Sequence, residues 1–488
     1  MQLNEIVNLL PTYSLTNNSN PLIQDLHMDS REVTQGSLFF CVPGYTVDGH
    51  DFAKQAVEKG AVALVAERDL DVDVPVVIVR STKRAMAIIS SAFYQYPTEK
   101  LHMIGVTGTN GKTTTTHLIE QILNDAKRNS GMIGTMYMRY GGNEIPVKNT
   151  TPESLVLQKE FAKMVESGVD SVTMEVSSHA LELGRVHGCR YDVAVFTNLS
   201  QDHLDFHETM ERYCYAKGLL FAQLGNGNES GQNKVAVINS DDESAKTIEM
   251  MSAVPVLTYG IYSDADVKAT NINVHEKGTS FLVHIGDHSI DVNLKMTGTF
   301  SVYNALAAIA ATYASGIRLP EIKKSLEALK GVSGRFERVE IDDALYHVIV
   351  DYAHTPDSLK NVLETIKEFA KGKISVVVGC GGDRDKTKRP QMAAVAEELA
   401  DFVYLTSDNP RTEEPMAILT DMEEGMSGSN YEVIESRKSA IEKAIHSAGK
   451  DEIILIAGKG HETYQTIGKT NYHFDDRIVA KEAAEGEK

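Results

Sequence analysis

Cysteine is scarce in this chain of 488 residues: four in all, Cys41, Cys189, Cys214 and Cys380. They lie far apart and form no CxxC pair, which argues against a disulfide scaffold or zinc knuckle and fits a reducing compartment. Basic residues are in deficit as well. Lys and Arg number 48 against 68 Asp and Glu, a formal charge of −20, and no Lys/Arg-dense stretch reverses that sign locally. Such a surface repels a phosphate backbone, so nucleic acid is not an expected partner. A small anionic substrate stays open, because a few Arg residues and helix N-termini suffice to hold one. No apolar run approaches the roughly 18 residues of a membrane span. The N-terminal MQLNEIVNLLPTYSL lacks the basic region and apolar core of a signal peptide. Heptads, fixed-period repeats and long low-complexity segments are missing too. The expectation is a cytoplasmic monomer without membrane insertion, long enough for about three domains at roughly 150 residues each.

What is present is a recurring unit: a short β-branched run, a Gly/Asp/Asn-rich turn, then a helical pattern. The runs are AVALVAE at 61–67, HMIGVTG at 102–108, SVTMEVSSH at 171–179 and VAVFTNLS at 193–200. VAVINSDD at 235–242, ISVVVGCGG at 374–382, FVYLTSDN at 402–409 and IILIAGKG at 453–460 follow. Continuous apolar strands alternating with helices predict an α/β chain built on parallel sheets covered on both faces. Polar stretches at 95–100 (QYPTEK) and 329–337 (LKGVSGRFE) divide it into expected domains 1–98, 99–331 and 332–488. Residues 225–234 (GNGNESGQNK) read as an exposed loop. Alternation of apolar and polar residues over 265–297 predicts an appended antiparallel hairpin. The helix SVYNALAAIAATYASG then closes the middle domain.

The most informative stretch is GVTGTNGKTTTTHLIEQIL at 105–123. A strand feeds a Gly-rich loop (Gly108, Thr109, Asn110, Gly111), then Lys112, Thr113 and Thr114 open an amphipathic helix. Backbone N–H groups of such a loop point at phosphate oxygens, and the helix N-terminus adds favourable partial charge. Lys112 suits the β- and γ-phosphates, and the Thr113 hydroxyl suits Mg²⁺. The strict G-x-x-x-x-G-K-[ST] pattern misses by one position, where Val106 replaces the first Gly. An ordinary strand–turn–helix is the alternative; nucleotide binding is the stronger reading. Glu175 ends the strand SVTME, where an α/β sheet places ligand-binding groups, and His203 follows another strand in the same way. A charge at a strand edge and a hydrogen-bonded loop His are their structural alternatives.

Taken in order, GTNGKTT, MEVSSHAL, NLSQDHLDFH, GRFE at 334–337, DYAHTPDSL and DNPR resemble the Mur ligase family of bacterial cell-wall synthesis. The resemblance runs from DSREVTQGSLFFCVPGYTVDGHDF near the N-terminus to AGKGHETYQ near the C-terminus. It implies an N-terminal UDP-binding α/β domain, a central P-loop ATPase domain and a C-terminal Rossmann-like domain. It further implies that Glu175 and His203 reach magnesium with Thr113. Lys217, in YCYAKGLLF, would be carboxylated by CO₂ to a carbamate that binds a second Mg²⁺; by chemistry alone it is a solvated helix lysine. Ser30, Asn149, Thr150, Thr151, Ser177 and Arg185 would contact UDP-MurNAc-L-Ala-D-Glu, although each Ser or Thr could equally be a turn or cap residue. Leu183 stands where some relatives carry Gln. Thr151 to Ser154 could simply begin a helix, with Pro152 in its first turn.

In the C-terminal part the resemblance brings Asn304, Arg335, Asp351 and His354 toward ATP. It also implies that Arg384, Asp408, Asn409, Pro410, Arg411, Gly458 and Glu462 bind meso-diaminopimelate; read from the sequence alone, three successive strand ends converge on one sheet edge, the expected place for a ligand. A pocket preferring diaminopimelate over L-lysine must fix one extra carboxylate, which Arg does through a bidentate fork. Asp408 and Glu462 would take the ammonium group. The alternative for Arg411 is a surface ion pair with Glu413 or Glu414. The expected activity is an ATP-dependent amide ligation of diaminopimelate through an acyl phosphate, with Lys112, Glu175, His203 and Lys217 as the catalytic set. L-Lysine as acceptor, folate polyglutamylation, and a P-loop ATPase or switch driving a partner are the rival readings. The DSR-containing N-terminal region and DNPR speak against the folate enzyme.

Overall fold

A computed structural model describes residues 1–44, 47–225, 234–275, 277–342 and 344–486. All eight apolar runs contain strands, for example Ala61–Ala66, His102–Thr107, Ser171–Glu175 and Ile453–Ala457. Every residue of Ser171–Glu175 and of Val193–Phe196 is buried, as a strand covered on both faces requires. The loop expected at 225–234 falls, apart from its two ends, outside the described residues.

Three sheets carry the architecture. The first has five strands in the order Ser14–Leu15, Val76–Ile78, Ala61–Ala66, Ser37–Phe40, Asp25–His27, parallel except at its first pair. The second has eleven. Its parallel centre runs Val256–Gly260, Val235–Asn239, Val193–Phe196, His102–Thr107, Ser171–Glu175, Ser130–Ile133. The third runs Glu337–Val339, His347–Asp351, Ile453–Ala457, Ile374–Val378, Phe402–Thr406, Tyr431–Ile434, again parallel except at its first pair.

The alternating segment 265–297 forms three strands rather than a hairpin of two: Val267–His275, Gly278–Ile285 and His288–Leu294, all antiparallel. The third arises because Gly286, at φ +53°, and Asp287 make a second tight turn. Pro152 also differs from expectation. The helix begins at Ser154 with Glu153 as its cap, so Pro152 precedes it.

His102–Thr107 is the earliest strand of the central sheet, and the chain adds strands first on one side of it and then on the other. Its carboxyl end is therefore a topological switch point, the place where such sheets bind ligands. The helix Lys112–Asp125 that follows is held by Leu118, Ile119, Ile122 and Leu123, each at most 1% exposed. Such burial stabilises by about 1.5–3 kcal/mol per side chain, which anchors the loop at the helix N-terminus. The Ala-rich helix Thr299–Ala314 packs beside it, its small side chains permitting close approach.

Candidate active site

Two glycines shape the loop at the switch point. At Gly108 (φ +146°) a Cβ would lie 1.8 Å from Thr197 Oγ1, and at Gly111 (φ +84°) one would lie 2.4 Å from Asn304 Oδ1. Only Gly fits either position. Asn304 thus faces the phosphate loop from the Ala-rich helix, where its Oδ1 also accepts from Thr115 Oγ1 at 3.4 Å. Neighbouring loop residues close the turn: Thr109 N–H donates to the Asn198 carbonyl at 2.8 Å and Asn110 N–H to Asn198 Oδ1 at 2.9 Å. Lys112 Nζ folds back onto the carbonyls of Gly108 (2.9 Å) and Thr109 (2.7 Å). Thr114 is buried in the first turn. Burial lowers the Lys112 pKa, with Glu175 and Asp202 opposing the shift.

On one side of the loop, Thr113 Oγ1 donates to Glu175 Oε2 at 3.0 Å. The carboxylate also accepts from Thr135 N–H (2.9 Å) and Thr135 Oγ1 (3.0 Å), and it is almost fully buried. Around it gather four of the residues expected to bind the muramyl substrate. Thr150 Oγ1 lies 3.1 Å from Thr135 Oγ1, and Thr151 Oγ1 donates to the Glu175 carbonyl at 2.8 Å. Thr151 Oγ1 accepts Ser177 N–H at 3.0 Å, while Arg185 Nη1 donates to the Thr151 carbonyl at 3.3 Å and its Nε pairs with Glu153 at 2.7 Å. Ser177 caps the helix Ser178–Glu182 through Ala180 N–H. Asn149 is exposed at the rim. Ser30, in the first sheet's unit, donates to Gln55 Oε1 at 2.7 Å.

On the other side stands Lys217, on the helix Met210–Ala222 and essentially inaccessible. Its Nζ donates to the Gly108 carbonyl at 2.7 Å and sits 4.3 Å from the centre of the Tyr213 ring. Burial, then the nearby Lys112 charge, drive its pKa well below the ordinary lysine value. His203 holds a left-handed backbone (φ +54°) and its Nε2 is 3.4 Å from Asp202 Oδ2. Burial lowers its pKa to about 3, against the pull of Asp202. Among the described residues no three His, Cys, Asp or Glu side chains converge on a metal position.

The third sheet's unit reaches into this centre. Arg335 Nη2 donates to Thr113 Oγ1 at 2.9 Å, with its guanidinium 4.6 Å from the Tyr352 ring centre. Asp351 Oδ2 accepts Phe336 N–H at 2.6 Å, and burial pushes its carboxyl up. His354 Nδ1 lies 2.8 Å from the Tyr352 carbonyl oxygen. Lys388 Nζ donates to Asp202 Oδ1 at 2.7 Å, and Asp357 Oδ2 accepts from Asn110 Nδ2 (2.9 Å) and Ser200 Oγ (2.6 Å).

At the carboxyl ends of the third sheet, the loops at 380–385 and 408–413 meet the hairpin Tyr464–Ile467/Thr470–His473. Arg411 Nη1 donates to the carbonyls of Gly382 (2.7 Å) and Asn409 (3.4 Å), and Arg384 Nη1 to the Asp383 carbonyl (3.0 Å). Among the described residues neither guanidinium has a carboxylate partner. Burial and the adjacent Arg411 charge lower the Arg384 pKa. The surface pair of Arg411 with Glu413 or Glu414 does not form, since Glu413 is taken by Arg389. Asn409 Nδ2 donates to Glu462 Oε2 at 2.9 Å, and the buried Lys459 Nζ bridges Asn409 Oδ1 (3.0 Å) and Glu462 Oε2 (3.1 Å). Asp408 lies against Gly458, where a Cβ would sit 2.5 Å from its Oδ2. Pro410 is buried, its carbonyl filling the place of a Cβ on Gly382.

Known families match all three units in turn. Residues 22–99 match the Mur ligase family catalytic domain, 106–312 the Mur ligase middle domain, and 334–460 the Mur ligase glutamate ligase domain. The UDP-N-acetylmuramoyl-L-alanyl-D-glutamate–2,6-diaminopimelate ligase of Halalkalibacterium halodurans is 58% identical over 482 residues, 98% of each chain. The chain belongs to the Mur ligase family. It is accordingly an ATP-dependent, amide-forming ligase of peptidoglycan synthesis with the three-domain Mur architecture. A solved UDP-N-acetylmuramoyl-L-alanyl-D-glutamate–2,6-diaminopimelate ligase superposes with a TM-score of 0.70 at 33% identity, covering 99% of both chains. The MurF ligase of Thermotoga maritima in complex with ADP shares the fold, with a TM-score of 0.63 at 20% identity over 95% of this chain and 99% of its own.

Sequence reasoning about this Mur ligase missed five residues at the centre. Thr135 follows a strand of only four residues, Ser130–Ile133, too short to stand out. Lys459 lies inside the noticed AGKGHE motif and went unassigned, though a Lys between two glycines at a strand end was a usable signal. Asp202, Asp357 and Lys388 acquire their roles by docking of one unit on another, which no local pattern announces.

Proposed function

We propose that this Mur ligase joins meso-diaminopimelate to the D-Glu side-chain carboxylate of UDP-MurNAc-L-Ala-D-Glu, driven by ATP. The observation that carries the acceptor assignment is the pair Arg384 and Arg411, two neighbouring cations that among the described residues hold carbonyls and no carboxylate. A distal carboxylate satisfies that pair through a bidentate fork, and L-lysine has none to offer. The curated relatives named as diaminopimelate ligases, matched along nearly the full chain, support the same reading. Asp408 takes the acceptor's ammonium group. Glu462, already engaged by Lys459 and Asn409, acts with them as a neutral, ordered wall.

A carboxylate does not condense with an amine in water because its oxygen is a poor leaving group. Transfer of the γ-phosphoryl from ATP to a D-Glu carboxylate oxygen releases ADP and gives an acyl phosphate. The acceptor's amine attacks the acyl carbon, loses a proton, and phosphate leaves. Gly108 to Thr114 cradle the phosphates, and Lys112, now folded on loop carbonyls, swings to them as the neutralising cation. Asn304, Arg335, Asp351 and His354 border the same nucleotide. Thr150, Thr151, Ser177 and Arg185 hold the dipeptide beside Glu175, with Asn149 at the rim and Ser30 on the uridine side.

Thr113 and Glu175 fit a magnesium ion: two buried oxygen donors already 3.0 Å apart. Magnesium there supplies charge neutralisation for the phosphoryl group. His203 and Lys217 lie across the loop, and Lys217 fits only as a carbamate. Its buried amine favours the neutral form, the form whose lone pair can attack CO₂, forming an N–C bond and releasing a proton. The carbamate then offers a hard anionic ligand in place of a cation. The four cysteines are unpaired, as a reducing compartment favours, and we place the enzyme in the cytoplasm, acting on small molecules as a monomer. Phosphate release tests the function. Rapid turnover is expected only with ATP, UDP-MurNAc-L-Ala-D-Glu and meso-diaminopimelate together, and Lys112→Ala abolishes it. Equally fast release from ATP alone refutes a ligase.

A further inference from the structure

The two acceptor-site arginines are mounted on strained backbone. Asp383 (φ +53°) and Arg411 (φ +52°) both occupy the left-handed region that side-chain-bearing residues avoid. Such conformations persist only where the surroundings over-determine them. Here the over-determination has an identifiable source. Asp383 carboxylate oxygens accept from Thr412 Oγ1 at 2.8 and 2.9 Å and from Thr412 N–H at 3.2 Å, tying one loop to the other. Glu413 ties them a second time. Its Oε1 accepts Asp383 N–H at 2.6 Å and Arg389 Nη2 at 2.8 Å, and its Oε2 accepts Arg389 Nη1 at 3.1 Å.

Arg389 is 1% exposed and is fixed in turn by Asp421 at 2.7 Å. The bidentate bond to Arg389, helped by the Asp383 N–H and by Lys386, holds Glu413 as a carboxylate with its pKa lowered to about 2. The consequence is a sorting of charge. Asp383, Asp385 and Glu413 each have partners of their own, whereas among the described residues neither Arg384 nor Arg411 has a carboxylate partner.

We propose that Glu413, clasped by Arg389, is a positioning residue for acceptor specificity: it holds the 381–385 and 408–413 loops in the register that converges Arg384 and Arg411 on the acceptor's distal carboxylate. This rests on the diaminopimelate reading above. Glu413 touches no substrate. Its effect reaches the pocket through Asp383, and it also removes itself as an ion-pair partner that would cover Arg411.

The test compares wild type with Glu413→Gln and Glu413→Ala, using meso-diaminopimelate and L-lysine as acceptors, with KM for ATP measured in the same preparations. Glu413→Gln keeps an oxygen for Asp383 N–H and so guards against a folding defect. Loss of such supporting contacts commonly costs about 10–100-fold, expected here in KM for diaminopimelate and in its preference over lysine, with KM for ATP unmoved. A wild type that uses both acceptors equally overturns the diaminopimelate reading and this proposal with it. A wild-type preference that survives intact in both variants, or a loss shared equally by lysine, overturns the positioning role of Glu413 alone.

Discussion

Arg411→Ala isolates one arm of the acceptor fork. In the wild type Arg411 spends Nη1 on the Gly382 carbonyl at 2.7 Å, and its side chain and that of Arg384 both border Gly381, where a Cβ would lie 2.8 Å from Arg411 Nη1 and 3.8 Å from Arg384 Cγ. Removing it leaves the distal carboxylate of diaminopimelate with Arg384 only. Truncating one member of a buried charge pair costs 2–5 kcal/mol, and this half-exposed site belongs at the low end, about 2 kcal/mol. At 1.36 kcal/mol per tenfold that is about 30-fold in kcat/KM for meso-diaminopimelate. L-Lysine has no distal carboxylate to lose a partner, so its kcat/KM should stay within about twofold, and selectivity falls by nearly the full factor. A coupled phosphate-release assay with each acceptor at saturating ATP and UDP-muramyl dipeptide reads both constants. Arg411→Gly separates the side chain from its strained backbone. It should lose the same selectivity yet be more stable than Arg411→Ala by about 1 kcal/mol, because Gly adopts φ +52° without penalty. An unchanged acceptor preference in both variants refutes the fork. Equal melting temperatures for the two refute the strain argument.

Two further predictions concern other charges. Lys217→Ala should lower kcat by about 10²–10³, the usual cost of one preorganised charged group, and high concentrations of a short carboxylic acid should restore part of it by occupying the carbamate's place. Full activity in the variant, or an unmodified Lys217 in the mass spectrum of active enzyme, defeats the carbamate. Glu413 has its folded pKa lowered from 4.5 to about 2 by Arg389, so its contribution to stability is present above pH 4.5 and is lost as pH falls toward 2. Melting curves between pH 5 and pH 2 should therefore fall less steeply for Glu413→Gln than for wild type, and parallel curves refute the assignment.

What the chain discloses of itself follows the range over which each interaction acts. Strand runs such as SVTME and IILIA were legible because a strand buried on both faces must be apolar at nearly every position, a constraint written into consecutive residues. Three-residue strands such as Val76–Ile78 and Met138–Tyr140 carry too little pattern and owe their place to the sheet they join. The phosphate loop was legible for a related reason: Gly108 and Gly111 are demanded by contacts with Thr197 and Asn304, yet the demand falls on glycine identity within a short stretch. The pairing of Thr113 with Glu175 could be inferred because Thr113 opens the helix that follows His102–Thr107 and Glu175 ends the strand beside it, so sheet topology brings the two together.

Arg389 marks the opposite case. In the sequence DRDKTKRP it is one of several basic residues in a polar run, and nothing local distinguishes it from Lys386 or Lys388. Folding sends the three to different fates: Arg389 inward to Glu413 and Asp421, Lys388 across to Asp202, Lys386 to the outer edge of Glu413. Those fates depend on where the helix Lys388–Leu399 docks, which is set by apolar contacts of Met392, Ala393 and Ala396 rather than by the charges themselves. Charge pairing is thus a consequence of packing here. The residues proposed to touch substrate were accessible to reasoning from motifs, whereas contacts such as Arg389 with Glu413 emerge only once the sheet edge and its flanking helix are assembled.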